Sequence, residues 1–341
     1  MTEHRTLTWY LERNAKRDPL RAATVEAVRA FCSASIEISD LIGQGALAGV
    51  SGKNVGLENA DGDDQKDLDV KCDSIIRRHL ASVHYGAVIS EECVLAESAD
   101  DEAPISIAYD PLDGSSNIET NMTVGTIFSI LPNTPGLQPF TGPGTEQLAA
   151  GFVVYGPQTS LILTLGDGVD IFTLDRKSRI YKLVRDRVQI PVDCAEYAIN
   201  ASNVRHWEPP VQEFIRACTA GMEGPLRKDF NMRWIASLVA ETYRILIRGG
   251  IFLYPSDARK KYANGRLRLL YEAHPMAFIV EQAGGKASTG RSSILDLAPR
   301  SLHQRTPLVM GSANTVRHVE RLHHNRERVA SSAFRARTLV R

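Results

Sequence analysis

Asp110-Pro111-Leu112-Asp113-Gly114-Ser115-Ser116-Asn117 follows directly on Ile105-Ser106-Ile107-Ala108-Tyr109, where larger apolar side chains alternate with small ones. A two-residue period marks a strand with one buried face, so Asp110 stands at the carboxyl end of that strand. Pro111 cannot donate to a regular ladder and turns the chain, which brings Asp113 back toward Asp110. Two carboxylates in one small volume are unfavourable unless one is protonated or a cation sits between them. Hard divalent ions such as Mg²⁺ take oxygen ligands of this kind, and the Leu112 carbonyl offers another. Gly114, Ser115 and Ser116 form a small-residue turn, and backbone N–H groups exposed in such a turn make an anion nest. A plain surface turn is the alternative, because Asp-Gly and Gly-Ser-Ser are common turn sequences.

Working toward the amino terminus, Ala87-Val88-Ile89 is a short strand that ends at Ser90-Glu91-Glu92. Such a pair of glutamates is ordinarily surface decoration. Here it closes the strand before Asp110; consecutive strands are often neighbours, and ligands gather at strand carboxyl ends. Apolar spacings of three and four predict helices over Arg21–Leu47 and Asp67–Leu80. The polar stretch Asn54–Lys66, with Asp61, Gly62, Asp63 and Asp64, is either a solvated connection or a lid over cations. Residues 1–20 read as an exposed lead-in.

Toward the carboxyl terminus, Thr123–Leu131 is strand-like and Pro132–Gly144 is a proline-rich loop. Gly151–Leu165 and Val169–Val184 read as β-hairpins. Pro191 and its polar flanks place a domain division within 186–195. Beyond it the pattern predicts a strand at Glu196–Asn200, a helix from Pro209 to about Ala220, a helix over Met232–Ile247 and a strand at Ile251–Pro255. A basic loop, Asp257–Asn264, precedes an apolar stretch over Arg266–Gln282. Pro307–Gly311 is the last strand and Asn314–His324 the last helix. The expected organisation is thus an amino-terminal domain (1–190) with the metal motifs, a carboxyl-terminal domain (191–325) and a loose basic tail (326–341).

The 341 residues contain 40 Lys plus Arg and 40 Asp plus Glu, and 43% are hydrophobic. This is ordinary globular composition, and the charge balance gives no argument for nucleic acid or a membrane surface. No run of about 18 apolar residues occurs, and the first residues lack the apolar core of a signal peptide. Five scattered cysteines without CxxC spacing suit reduced thiols. A cytoplasmic protein is expected.

Carboxylates stand at Asp69, Glu91, Glu92, Asp110, Asp113 and Glu272, and guanidinium groups at Arg233, Arg266 and Arg268. Metal, arginine and a nest together suit a phosphate ester, because charge on the departing oxygen and the phosphoryl group needs stabilising. Arginine matches phosphate with a planar fork. No Walker A sequence, Cys-x₅-Arg signature or Gly-x-Ser-x-Gly elbow is present, which leaves water as the nucleophile.

With Ser90-Glu91-Glu92, Asp110 to Ile118, Val124-Gly125-Thr126-Ile127-Phe128, Gly249 to Pro255, Asn264 to Glu272 and His274-Pro275-Met276, the sequence closely resembles the class I fructose-1,6-bisphosphatases. These belong to the Mg²⁺-dependent, lithium-sensitive sugar and inositol phosphatases. The resemblance implies an α+β fold of alternating layers, an α-β-α-β-α sandwich, and a homotetramer in the cytoplasm. It implies two or three Mg²⁺ per subunit, with Mn²⁺ as a substitute. The metal ligands would be Glu91, Glu92, Asp110, the Leu112 carbonyl, Asp113 and Glu272, with Asp69 and Glu92 deprotonating the attacking water. Asp113, Gly114, Ser115, Ser116 and Arg268 would surround the 1-phosphate. Asn200, Tyr254 and a neighbouring subunit's Arg233 would hold the 6-phosphate, and Arg266 the sugar. The implied reaction is hydrolysis of the 1-phosphate of fructose 1,6-bisphosphate, in gluconeogenesis or the Calvin cycle.

Where the family has two tyrosines near the 6-phosphate, this chain has Asn203 and Trp234, so sedoheptulose 1,7-bisphosphate is the alternative substrate. A non-catalytic sugar-phosphate sensor is the remote alternative. Pro104-Ile105 replaces the Lys-Tyr pair of the animal AMP site, so weak or absent AMP inhibition is expected. No cysteine lies in 132–144, so thioredoxin control is not.

Overall fold

A computed structural model describes residues 5–15, 18–48, 54–58 and 64–338 of the chain. Helix α1 (Leu7–Ala15) buries Leu7 and Leu11 and packs on α2 (Pro19–Gln44). The expected exposed lead-in is therefore helical in part; two leucines one turn apart suffice to dock it. Helix α2 starts where Asp18 accepts the Arg21 N–H at 2.7 Å and Pro19 occupies the first turn, a cap and a preset φ that both favour a helix start. Strands β1 (Asn54–Glu58) and β2 (Asp64–Lys66) pair as antiparallel partners ahead of helix α3 (Asp67–Leu80). Asp61, Gly62 and Asp63, the centre of the expected lid or linker, lie outside the described residues.

The first large sheet contains β3 (Ala87–Ser90), β4 (Glu97–Ser98), β5 (Ile105–Asp113), β6 (Val124–Pro132), β7 (Ala149–Tyr155), β8 (Thr159–Thr164), β9 (Asp170–Asp175) and β10 (Ile180–Arg185). Its order is β10-β9-β8-β7-β6-β5-β3-β4, and only β3 and β5 run parallel. Helices α1, α2 and α3 cover one face, where Phe31 stacks on Phe128 at 4.5 Å and meets Tyr109 edge-on. Every residue of β5 is buried, so the strand has two covered faces rather than the expected one. Ile107 and Tyr109 face the helices, while Ala108 packs with Leu270 and Tyr271 on the other side. Small residues alternate in β5 because a second layer presses on them, not because water does.

The carboxyl-terminal half adds β11 (Glu196–Ala198), helix α4 (Pro209–Thr219), β12 (Asn231–Met232), helix α5 (Leu238–Arg248), β13 (Ile251–Tyr254), β14 (Leu267–Arg268), helix α6 (His274–Gln282), β15 (Lys286–Ser288), β16 (Arg305–Thr306), β17 (Leu308–Gly311) and helix α7 (Ala313–Thr338). The second sheet has the order β12-β11-β13-β17-β15, and β14 pairs with β16 apart from it. Helices α5 and α6 lie between the sheets and touch both; α4 and α7 pack together, with α7 against the second sheet's outer side. The layers run α-β-α-β-α, as expected.

Two helices differ from their sequence pattern. Helix α5 begins at Leu238 rather than Met232, because Ala236 takes a positive φ of 59° and Ser237 caps the helix by accepting the Ala240 N–H. Helix α7 continues to Thr338, past the expected end at His324 and through the basic stretch. Its charged residues carry good helix propensity, and the apolar periodicity that marks a packed face simply stops before the helix does. No helix among the described residues is long and apolar enough to cross a membrane.

Candidate active site

The ladder between β5 and β6 slips at the decisive octapeptide: Asp110 pairs with Ile127, but Asp113 pairs with Gly125. One extra residue is accommodated, a bulge that re-aims side chains. Pro111 therefore kinks the strand rather than ending it, and Thr126 Oγ1 donates to the Pro111 carbonyl at 2.9 Å. Asp110 accepts the Leu112 N–H at 2.9 Å, which leaves Leu112 buried between the two acids. Glu272 arrives from a π-type turn, Leu269–Ala273, and accepts the Arg268 N–H at 2.6 Å. Wide turns of this kind recur at functional sites. Carboxylate oxygens of Asp110, Asp113 and Glu272 lie within 4.8 Å of one another, and all three residues are buried.

Asp113 sits at the amino end of α5. It accepts the Val239 N–H at 3.0 Å and the Ser237 hydroxyl at 3.2 Å. Gly125 permits this approach: a Cβ there would fall 2.2 Å from the Val153 carbonyl and 2.6 Å from Val239. On the other side, Glu91 donates its N–H to the Tyr109 carbonyl at 3.1 Å, one step past the Ser90–Tyr109 register of the parallel pair. That places the Glu91 carboxylate where it acts on Asp110, Asp113 and Glu272 alike.

Burial is the largest cause raising all three proton affinities, with the Glu91 charge next behind it for Asp110 and Glu272. Asp110 and Glu272 are pushed well above the usual carboxylate range. Asp113 is raised only to about 6, because the Val239 N–H and Ser237 hydroxyl hold its anion. Asp69, buried on α3, and Glu92 act together with Asp110 on the Cys72 thiol. The close group itself, among the described residues, is Asp110, Asp113 and Glu272, with Glu91 acting on all three. Their donors are hard oxygens in a dry site, which fits a divalent cation such as Mg²⁺ and not a soft thiophilic one.

Beside this group, Gly114 adopts φ 77°, and Ser115, Ser116 and Asn117 form a 3₁₀ turn. The Asn117 amide ties it down by donating to the Thr123, Ile235 and Ala236 carbonyls. Arg268 is buried, its guanidinium donating to the Arg266 carbonyl at 2.9 Å. Arg266 stacks over the Tyr262 ring at 3.6 Å and lies 5.4 Å from the Tyr254 ring. Tyr254 also feels the Glu272 charge, which links the two groups. Asn200 caps the 201–206 turn through Ser202, and Asn203 accepts from Arg259 at 2.9 Å. Trp234 stacks on Phe252 and meets Tyr254 edge-on. Arg233 stands apart: its side chain is half-exposed, 3.6 Å from Glu196.

Residues 6–186 match the family described as fructose-1-6-bisphosphatase, N-terminal domain, and residues 190–324 match its C-terminal domain. The chain belongs to the class I fructose-1,6-bisphosphatase family. It is 61% identical over 343 residues to a fructose-1,6-bisphosphatase class 1 of Rhodopseudomonas palustris strain TIE-1, covering 100% of both chains. A Nitrobacter hamburgensis protein of the same description is 60% identical over 324 residues, covering 95% of this chain and 94% of that one. Among solved structures, Leishmania major fructose-1,6-bisphosphatase in holo form superposes with a TM-score of 0.87 at 34% identity, covering 94% of this chain and 99% of that one.

Several residues around the candidate site gave little sequence signal. Asp73 accepts from Ser90 at 2.6 Å, Tyr109 at 2.7 Å and Arg77 at 2.6 Å. It locks α3 to the ends of β3 and β5. Only its spacing, four residues after Asp69 on one helix face, hints at this. Tyr262, under Arg266, lies in a loop without periodicity. His303 joins Tyr271 at 2.9 Å to the Val94 carbonyl at 3.0 Å, a contact across 209 residues that no local pattern carries.

Proposed function

We propose that the chain hydrolyses the 1-phosphate of fructose 1,6-bisphosphate with a divalent metal, Mg²⁺ first and Mn²⁺ as a substitute. The observation that carries this is the buried convergence of Asp110, Asp113 and Glu272 next to the Gly114–Ser116 turn, in a chain of this family. Relatives at about this identity are named for fructose-1,6-bisphosphatase activity, so the sedoheptulose alternative is not favoured.

The metal group would be held by Glu91, Glu92, Asp110, the Leu112 carbonyl, Asp113 and Glu272, in two or three positions. When bound, divalent ions supply Lewis-acid stabilisation of charge on the departing oxygen and make water more acidic. Asp69 and Glu92 take the proton from the attacking water. Backbone N–H groups of Gly114, Ser115 and Ser116, with the Arg268 guanidinium, hold the 1-phosphate through its change of charge. Tyr254 and Asn200 hold the 6-phosphate, and Arg266, fixed by Tyr262, meets the sugar. Arg233 reaches the 6-phosphate of a neighbouring copy in a homotetramer; its outward, half-exposed position supports that assignment.

Phosphate release from fructose 1,6-bisphosphate tests the proposal. Turnover requires Mg²⁺, disappears in excess chelator and is lost in Glu91→Gln while the protein stays folded. Full activity in chelator would refute it. Binding of the bisphosphate without phosphate release would mark a sensor instead.

A further inference from the structure

We infer that a second cavity, apart from the metal group, binds a small sugar phosphate and is coupled to the active site. The cavity has a volume of about 700 Å³, and none of the residues assigned above to metal or substrate lines it. Four cations line it: Lys261, Arg291, Arg300 and Arg305. Among the described lining residues one carboxylate opposes them, Glu208, which already accepts from Arg291 at 2.7 Å and from the Ser256 hydroxyl at 3.2 Å; Arg291 is further paired with Glu327 at 2.6 Å, so Lys261, Arg300 and Arg305 carry the excess. The exposed Arg300 guanidinium makes no ion pair or hydrogen bond among the described residues. A concave surface with this imbalance concentrates anions, and guanidinium forks match phosphate oxygens.

The rest of the lining selects the other half of the ligand. It presents hydroxyls and amides, at Ser256, Asn264, Ser301 and Gln304, and no Phe, Tyr or Trp. The one ring on the wall, His303, is held between the Tyr271 hydroxyl and the Val94 carbonyl, so a nucleobase would find no large aromatic face to stack on, whereas a polyhydroxy chain or ring would find hydrogen-bond partners. The chemistry favours a phosphorylated sugar over a nucleotide.

Three short links join the cavity to the proposed catalytic and substrate residues. Arg305 and Thr306 pair in register with Arg268 and Leu267 across β14 and β16. His303, also on the cavity wall, bonds the Tyr271 hydroxyl beside Glu272. Lys261 directly precedes Tyr262, the ring beneath Arg266. A ligand that draws these side chains inward acts on Arg268, Glu272 and Arg266 through the backbone.

Titration calorimetry with glucose 1-phosphate on the full chain tests this. The Arg268→Ala variant removes the 1-phosphate contact and keeps the Asn200–Tyr254 place, so the cavity is read from the binding that substitutions on its own wall remove. One equivalent per chain is expected there, weakened about tenfold or more when Arg300→Glu is added, the scale of a lost charge-assisted bond. Ser301→Trp fills the cavity without changing its charge and has the same expected effect. No binding in Arg268→Ala, or binding unchanged by both further substitutions, overturns the inference. Equal affinity for inorganic phosphate or citrate overturns its sugar-phosphate part. The coupling is read separately and rests on the proposed activity: glucose 1-phosphate shifts the KM for fructose 1,6-bisphosphate by about fivefold in the wild type, and not in Arg300→Glu. A KM that does not move in the wild type removes the coupling. If Arg268→Ala keeps full phosphatase activity, the active-site assignment fails while the binding result stands.

Discussion

The Val239 N–H donates to the Asp113 carboxylate at 3.0 Å, so a proposed metal ligand on β5 also receives the amino end of helix α5. The helix dipole favours the anion there, and Ser237 serves both partners: its hydroxyl donates to Asp113 and accepts the Ala240 N–H. Ser237→Ala removes both bonds. The expected loss is about 1 kcal/mol of stability from the cap, with weaker metal binding because the Asp113 anion loses a donor. Thermal unfolding with and without Mg²⁺ checks it: the variant's Mg²⁺-induced rise in Tm is smaller than the wild type's. An equal rise would separate Ser237 from the metal group.

Asp110, Asp113 and Glu272 make the metal-free fold acid-favoured. Their folded-state proton affinities are raised by burial and mutual repulsion, Asp113 to about 6 and the other two well above the usual carboxylate range, above unfolded values of about 4. Between those limits the folded chain holds more protons than the unfolded one. Its stability therefore falls as pH rises through that window. In chelator, Tm is expected to be higher near the middle of the window than at mildly alkaline pH. Mg²⁺ favours the ionised carboxylates and flattens or reverses that slope. Identical slopes with and without Mg²⁺ would sink the assignment of these three carboxylates to a cation.

Most of the first sheet was legible because its strands from β5 to β10 are long and their turns carry proline, glycine and aspartate; the two-residue β4 was not. The acidic cluster proposed to hold metal was legible in part too, since Asp110, Asp113 and Glu91 lie at strand ends that the apolar period marks. The sugar side was less so. Strands β14 and β16 have two residues each, too few to show a period. The apolar spacing of Ile235 and Leu238 ran the helix pattern through Arg233 and Trp234, although Ser237 and Glu241 mark a later start. Glu241 reaches back past the Ser237 cap to accept the Ile235 N–H at 2.8 Å. Long-range ties such as His303 to Tyr271 depend on the finished fold alone.

Arg266 over Tyr262, at 3.6 Å, gives a test of sugar recognition distinct from catalysis. Tyr262→Leu keeps bulk and removes the ring that fixes the guanidinium. A cation over an aromatic face is worth about 0.5–2 kcal/mol, so KM is expected to rise several-fold with kcat little changed. Arg266→Lys tests the same point from the other side, because an ammonium keeps the charge and loses the planar stack. Steady-state kinetics on both variants decide it. A fall in kcat without a change in KM would place Arg266 at the reacting phosphate rather than the sugar.

Asp73 ties helix α3 to two strands of the first sheet. Its carboxylate takes one bond each from Ser90 on β3, Tyr109 on β5 and Arg77 on α3, and Arg77 goes on to Glu97 at 2.7 Å. The two strand ends it joins are those that deliver Glu91 and Asp110. Asp73→Ala leaves the Tyr109 and Ser90 hydroxyls and a partly buried guanidinium without their acceptor. Breaking a buried pair from one side costs about 3–5 kcal/mol. The expected result is a large drop in Tm that Mg²⁺ only partly recovers, because the ligands are misplaced as well as the fold weakened. Asp73→Asn retains one acceptor oxygen and separates the two effects. It should recover most of the stability and less of the activity, since the uncharged amide no longer fixes Arg77 and the end of β3. If Asp73→Asn restores both in full, the network holds the fold without positioning Glu91.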